Sequence, residues 1–324
     1  MNKTSSYTSA NIFPVKLLKS KDVPDRFGKI KPIHIQLNPT NVCNLNCSFC
    51  SCSNRDKKIE LKYEYLQGIM KDAALLGCRA VTITGGGEPL LYPKINELIH
   101  FLYNLNIQIG LVTNGTMFEK LHFESIKKIR WIRISHTDSR VFDFKYAGYL
   151  TKYILHTENV DWAFSYVLSD KPNLGNIVQV VNYANKKQFT HVRIVSDLLD
   201  LKHTPDMDII KEALNHAFGV PDDLVIYQGR KEFVKGRKKC LISLLKPVIG
   251  ADGNLYPCCG AQYAKDPPPG DYDETMCMGI AADLYEIYQG QRYFDGSQCV
   301  RCYYDDYNSL LEQMIEPIEH EEFL

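Results

Sequence analysis

Apolar positions along this chain follow two rhythms. Runs rich in β-branched and aromatic residues recur at IHIQLNP (33–39), AVTITG (80–85), QIGLVTN (108–114), WIRISHT (131–137), WAFSYVLS (162–169) and HVRIVSDL (191–198). Between them, apolar residues three and four apart mark helices at YEYLQGIMKDAALLG (63–77), INELIHFLYNLN (95–106), FESIKKI (123–129) and NIVQVVNYANKKQ (176–188). Six strand–helix units in succession predict an α/β fold with a parallel sheet, open or curved into part of a barrel. Chemistry in such folds sits at the carboxyl ends of the strands.

The rhythm changes after residue 200. A helix MDIIKEALNHAF (207–218) and a strand DLVIYQG (223–229) lead into the basic stretch GRKEFVKGRKK (229–239). PVIGADGNLYPCCG (247–260) reads as a hairpin around Asp252–Gly253, KDPPPGDYD (265–273) as a loop, and DDYNSLLEQMI (305–315) as an amphipathic helix before an acidic tail. The expected organisation is an N-terminal segment (1–30), a barrel (31–229) and a smaller cysteine-rich unit (230–324).

Charge and composition narrow the classes. Lys plus Arg and Asp plus Glu both number 38 in 324 residues, and 45% of the chain is hydrophobic. That zero balance gives no general attraction to nucleic acid or anionic membrane. A nucleic-acid partner is possible but not indicated, and only the basic residues Arg230, Lys231, Lys235, Arg237, Lys238 and Lys239 could meet a phosphate. No run has the length of a membrane span, and MNKTSSYTSANIFPVK lacks the apolar core of a signal peptide. A reducing, cytoplasmic location is the expectation. Eleven cysteines there point to metal or cluster ligation rather than disulfides.

Cys43, Cys47 and Cys50 form C-x3-C-x2-C directly after the first strand. Three thiolates can hold three irons of a cubane [4Fe–4S] cluster and leave the fourth open to a ligand. A zinc site would need Cys52 as a fourth ligand, crowding three thiolates on one side of a tetrahedron.

With Phe49 before the last cysteine, and with the strand–helix alternation, this motif resembles the radical S-adenosylmethionine superfamily. The resemblance implies a partial (β/α)6 TIM-like barrel whose open iron binds S-adenosyl-L-methionine. It also implies reductive cleavage to a 5′-deoxyadenosyl radical, and an electron donor such as flavodoxin or ferredoxin. On the same resemblance, Gly85, Gly86, Gly87 and Glu88 of TGGGEP would meet the methionine amino group. Asn114 and Ser135 would meet its carboxylate and ribose, and Arg193 a cofactor or substrate carboxylate. Where many relatives read S-L-D-G, this chain reads Ser135-His136-Thr137-Asp138, so His136 and Asp138 are candidates to face the substrate, as are Tyr303 and Tyr304.

Cys240, Cys258, Cys299 and Cys302 supply four more thiolates, enough for a second cubane or a structural zinc. CLISLLKPVIGADGNLYPCC (240–259) resembles the SPASM/twitch extension of that superfamily. The resemblance implies one auxiliary [4Fe–4S] cluster on these four, with Cys259 able to replace Cys258. Cys78 reads as a packed thiol; Cys277 has no assigned role. By analogy the substrate is a peptide or protein to be oxidised or crosslinked. About thirty residues before the first strand are too few for an added peptide-binding domain, so a small molecule (a sugar, aminocyclitol, nucleoside or base) is the alternative.

Overall fold

The computed structural model describes residues 12–20, 23–24, 28–155, 157–197, 205–218, 223–229, 234–261, 276–299, 302–316 and 319. After a short helix α1 (Phe13–Lys19), strands and helices alternate: β1 (His34–Leu37), α2 (Tyr63–Leu75), β2 (Ala80–Ile83), α3 (Ile95–Asn104), β3 (Gln108–Thr113), α4 (Phe123–Ile126), β4 (Trp131–Thr137), α5 (Phe144–Ile154), β5 (Asp161–Leu168), α6 (Leu174–Lys186), β6 (His191–Ser196), α7 (Met207–Phe218) and β7 (Val225–Gln228). Each strand from β1 to β7 pairs in parallel with the next. All six strands of the alternating region form, and β7 falls within the strand expected at 223–229.

The cysteine-rich unit continues the same sheet. It contributes α8 (Ile242–Leu245), β8 (Val248–Ile249), β9 (Asn254–Tyr256), β10 (Gly279–Ile280), α9 (Leu284–Gln289) and α10 (Asp305–Ile315). β8 lies parallel to β1 on the side away from β2, and β9 and β10 follow antiparallel. The hairpin turns where Asp252–Gly253 was expected to turn it. Gly253 sits at φ +82°, where a glycine avoids the Cβ clash, and the Asp252 carboxylate accepts from Asn254 N at 3.1 Å. The result is one open sheet of ten strands in the order β10-β9-β8-β1-β2-β3-β4-β5-β6-β7.

Alternation along the strands separates two faces. Ile35 and Leu37, Val81 and Ile83, Ile109 and Leu111, Ile132 and Ile134, Phe164 and Tyr166, and Val192 and Ile194 are nearly fully buried in the main hydrophobic core. Leu66, Met70, Leu98, Leu102, Ile177 and Val181, from α2, α3 and α6, belong to that core too, so this is the helix-covered face. The opposite face carries Gln36, Thr82, Arg133, Ser135, Ser165, His191 and Arg193. A filled barrel packs its interior with branched aliphatics. This interior is polar, as a ligand-holding one would be. Among the described residues no helix is long and apolar enough to cross a membrane.

Candidate active site at the carboxyl ends of the strands

The chain leaves β1 through Asn38, Thr40 and Asn41, all fully buried. The loop is clamped at its base, where Asn41 N donates to Ile59 O and Leu61 N to Pro39 O, each at 2.9 Å. Within it, Cys50 N donates to Cys47 O at 3.2 Å and Leu45 N to Cys43 Sγ at 3.5 Å. Arg55, almost fully buried, crosses underneath. Its Nη1 donates to Cys50 Sγ at 3.4 Å and to Cys52 O at 2.6 Å, and its Nε to Asn41 O at 2.9 Å. Burial and then the neighbouring cysteines push the Cys47 thiol up; for Cys43 burial is the main cause.

The glycine turn after β2 lies directly on this loop. Gly87 N donates to Thr40 O at 2.9 Å and Glu88 N to Val42 O at 2.8 Å. A Cβ on Gly87 would stand 2.1 Å from Val42 O, and one on Gly85 would stand 1.5 Å from Gly87 O. Backbone therefore meets backbone, which only glycine permits. Gly86 is buried between them.

Glu88 has a different place from the one expected. Its carboxylate is 2% exposed and accepts from Thr113 Oγ1 at 2.6 Å, Asn114 N at 2.7 Å and Leu90 N at 3.1 Å. Burial raises its pKa against those three bonds. Both oxygens tie the β2 turn to the end of β3, so Glu88 acts as a staple. Asn114 carries the chain of bonds back to the cysteine loop: its Nδ2 donates to Asn44 Oδ1 at 2.8 Å, and Asn44 Nδ2 donates to Thr116 Oγ1 at 2.9 Å.

Phe49, Ser48, Thr137, Asp138, Ser169 and Asp197 line a cavity of about 320 Å³ between this loop and the ends of β4, β5 and β6. Asp138 reaches it with both oxygens engaged, accepting from Tyr166 Oη at 2.7 Å, Ser169 N at 2.6 Å and Asn173 N at 2.9 Å. Ser135 and Arg193 occupy the polar face in register with Ser165, whose Oγ accepts from Arg193 Nη2 at 3.3 Å.

His136 lies elsewhere. It is 1% exposed on the helix-covered face, with its ring 5.6 Å from Tyr166, 5.7 Å from Phe142 and 6.1 Å from Tyr146. Burial, with Arg140 adding to it, pushes its pKa down to about 3. The expectation that it faces a substrate is corrected: alternation on β4 puts it opposite Ser135, as a neutral core ring. Sequence reading also passed over Arg55 and Arg140. Arg140 Nη1 donates to Asn114 O at 2.8 Å and Ser135 O at 3.0 Å, and its charge acts on both Cys47 and Glu88. A cation five residues after Ser135, just past a strand end, was the available signal.

Cys240, Cys258, Cys299 and Cys302 line one small, mostly apolar cavity with Pro257 and Phe294. Cys240 pairs with Phe294 and Cys302 with Val234 as isolated bridges, and Gly236 N donates to Cys299 O at 2.8 Å. Cys259 is exposed and points to Tyr304 Oη at 3.4 Å, outside that lining. The space is about 20 Å³, room for one water, so a cluster would part the thiols. Cys52 Sγ turns to Gly85 O at 3.8 Å, and burial pushes both Cys52 and Cys78 up to about 12; both are packed thiols. Of the basic stretch, Arg230 and Lys231 fall outside the described residues. Arg237 pairs with Asp305 at 2.8 Å and Glu312 at 3.0 Å of α10.

Among the described residues no group of three or more His, Cys, Asp or Glu could hold a single metal ion. A cubane asks for something else, one thiolate per iron. Cys43, Cys47 and Cys50 fit that demand, on one clamped loop with a buried guanidinium against Cys50. The adjacent Asn41 amide is buried with neither polar atom partnered, which leaves polar capacity for a ligand.

Known proteins resemble this chain in sequence and in fold. Residues 37–137 match the Radical SAM superfamily model. A Pyrococcus abyssi protein named "Probable GTP 3′,8-cyclase" is 35% identical over 94 residues, 28% of this chain and 30% of its own length. A Clostridium botulinum GTP 3′,8-cyclase is 31% identical over 117 residues, 34% of this chain and 36% of its own. The chain thus spans about a third of the curated relatives it matches. Among solved structures, Streptococcus suis SuiB bound to precursor peptide SuiA aligns with a TM-score of 0.58 at 16% identity, covering 92% of this chain and 76% of that one. Native anSMEcpe with bound AdoMet and a Kp18Cys peptide gives 0.54 at 13%, covering 79% of each. At such identities these two establish the fold. Together with the cysteine loop and the glycine turn clamped to it, the matched segment from β1 through β4 is a Radical SAM domain.

Proposed function

We propose that this chain is a radical S-adenosylmethionine enzyme acting on a substrate held in the polar interior of the barrel. The observation that carries it is the backbone lock between residues 40–42 and 87–88, which fixes three cysteines beside a glycine turn at the strand ends. When bound, a [4Fe–4S] cluster and S-adenosylmethionine supply a 5′-deoxyadenosyl radical that removes a hydrogen atom from the substrate. The chain's own residues bind and orient. Cys43, Cys47 and Cys50 would hold the cluster. The backbone of Gly85–Gly87 would take the methionine amino group, with Asn114, Ser135 and Arg140 near its carboxylate and ribose. Phe49 and the cavity beside it would enclose the adenosine and exclude water.

Cys240, Cys258, Cys299 and Cys302 would hold one auxiliary cluster, giving an electron acceptor or a second docking point. The substrate we favour is a peptide or protein, because the fold likeness extends over 92% of the chain to a protein solved with its precursor peptide. The cyclase relatives point to a nucleotide, but their match covers only about a third of this chain. Eleven free thiols suit a reducing compartment such as the cytoplasm, where flavodoxin or ferredoxin could deliver the electron.

The test is release of 5′-deoxyadenosine from S-adenosylmethionine by the anaerobically reconstituted, dithionite-reduced protein. Cys43→Ala, Cys47→Ala and Cys50→Ala should each abolish it. Undiminished release by all three would end the proposal.

A further inference from the structure

Among the described residues, three cations of the partial barrel have no carboxylate to meet them. Arg133 projects from the polar face of β4, and its guanidinium lies 5.0 Å from the Trp131 ring centre. Gly110 makes room for that indole, since a Cβ there would stand 2.2 Å from it. Arg193 projects from the same face of β6, and its Nη2 donates to Ser165 Oγ at 3.3 Å. The Nε atoms of both arginines are buried with no partner. Lys246, the C-cap of α8, leads into β8 beside β1, and the charges of both arginines act on it. Among the described residues, none of the three forms an ion pair with Asp or Glu.

Their charges act on one another. Burial pulls Arg133 down to about 9, with Arg193 adding to the effect. Burial also lowers Lys246; Cys259 and Cys258 oppose that shift, and Arg133 and Arg193 add to it. A guanidinium stays protonated at neutral pH regardless. Desolvated charge without a counter-ion is among the costliest things a fold can hold. Arg140 serves the other end of the site, where its field falls on Cys47 and Glu88. The field of Lys246 and Arg193 falls on the second cysteine unit, at Cys258 and Cys259 for the lysine and at Cys259 for the arginine.

We propose that Arg133, Arg193 and Lys246 form an anion-binding subsite that takes a carboxylate or phosphate group of the substrate. Guanidinium forks match either group in bidentate fashion, and the lysine adds a point charge. The word "substrate" rests on the function proposed above; the anion site itself does not.

Thermal unfolding of the anaerobically reconstituted full chain tests it, in the presence of saturating S-adenosylmethionine. Pyrophosphate and succinate are titrated separately against potassium chloride of equal ionic strength. One of the two should raise Tm saturably. Arg133→Gln and Arg193→Gln should each weaken that response by roughly tenfold or more, the loss of a charged hydrogen bond. Arg130→Gln, whose side chain is 63% exposed, should leave it intact.

A preference for pyrophosphate assigns a phosphorylated substrate, and one for succinate a carboxylate. Without any added anion, Arg133→Met should raise Tm, because it removes an uncompensated buried charge. Absence of either response, or a response surviving both glutamine variants, overturns the proposal. So does a response that S-adenosylmethionine abolishes, since the anion would then be the cofactor's own carboxylate. A fall in Tm for Arg133→Met would return the guanidinium to a structural role. Failure to make 5′-deoxyadenosine would leave this titration unaffected, so the two readings fail separately.

Discussion

Gly87→Ala tests the lock between the glycine turn and the cysteine loop. The new methyl carbon would begin 2.1 Å from Val42 O, 2.4 Å from Asn41 C and 2.6 Å from Asn41 O. Ordinary contact lies near ~3.5 Å, so the turn must retreat by about 1 Å. That retreat breaks the 2.9 Å bond to Thr40 O and the 2.8 Å bond to Val42 O. Two buried backbone bonds contribute about 1 kcal/mol each, and overpacking costs about 2 kcal/mol more. The lost flexibility of the unfolded chain returns less than about 1 kcal/mol. The net expectation is about 3 kcal/mol of destabilisation, or roughly 4 °C in Tm for a chain of this size.

Gly68→Ala is the matched control. Gly68 is exposed in α2, with nothing within 4 Å of its added Cβ, so it should stabilise by about 0.8 kcal/mol. Both variants are melted anaerobically after reconstitution, and iron per chain is counted. Gly87→Ala should melt early and hold less iron. If it melted with wild type and held full iron, the lock would not be what fixes the cysteine loop.

Three further outcomes follow from the same structure. Cys258→Ala should lose about four irons per chain and Cys259→Ala none, because only the first lines the cavity shared with Cys240, Cys299 and Cys302; iron and sulfide analysis decides. Asn176→Ala should cost about 3 kcal/mol in a melt, since its amide joins Phe142 N, Arg140 O and Tyr166 Oη at 2.8 Å each and their loss strands buried polar groups. His136 should make the protein acid-sensitive: with a folded pKa of about 3 against 6.5 unfolded, the unfolded chain binds the extra proton between those values, so stability falls as pH drops. His136→Phe should relieve about 2 kcal/mol of that loss near pH 5, and an unchanged slope in urea melts across this window would refute the assignment. His191, also pushed down to about 3, keeps part of the slope in the variant.

Much of this was legible in the sequence because parallel strands advertise themselves by alternation. The expected helices at 207–218 and 305–315 end where α7 and α10 end. Short elements were not legible: β10 is two residues long and pairs only because β9 lies beside it. α5 hides behind three tyrosines and an exposed glycine, which blur its period. The cysteine motifs could be read by spacing, but the choice between adjacent Cys258 and Cys259 depends on which side chain the hairpin turns inward. His136 misled because a polar residue after Ser135 looks functional until alternation places it on the helix side. Arg133 was overlooked for the converse reason. A single arginine in a strand says little; what matters is that β6 presents Arg193 on the same face and that the charges of both act on Lys246.

The joining of β8 to β1 bears on how the molecule can be cut. Gln36 N donates to Pro247 O at 3.0 Å and Asn38 N to Ile249 O at 2.9 Å, so the second unit supplies acceptors to the first barrel strand. A fragment ending near residue 230 would bare β1 as an open edge, with apolar Ile35 and Leu37 beneath it. Such an edge invites pairing with another chain. The expected fate of that fragment is aggregation rather than a smaller folded domain, which makes the cysteine-rich unit the shield of the strand that leads into the cysteine loop.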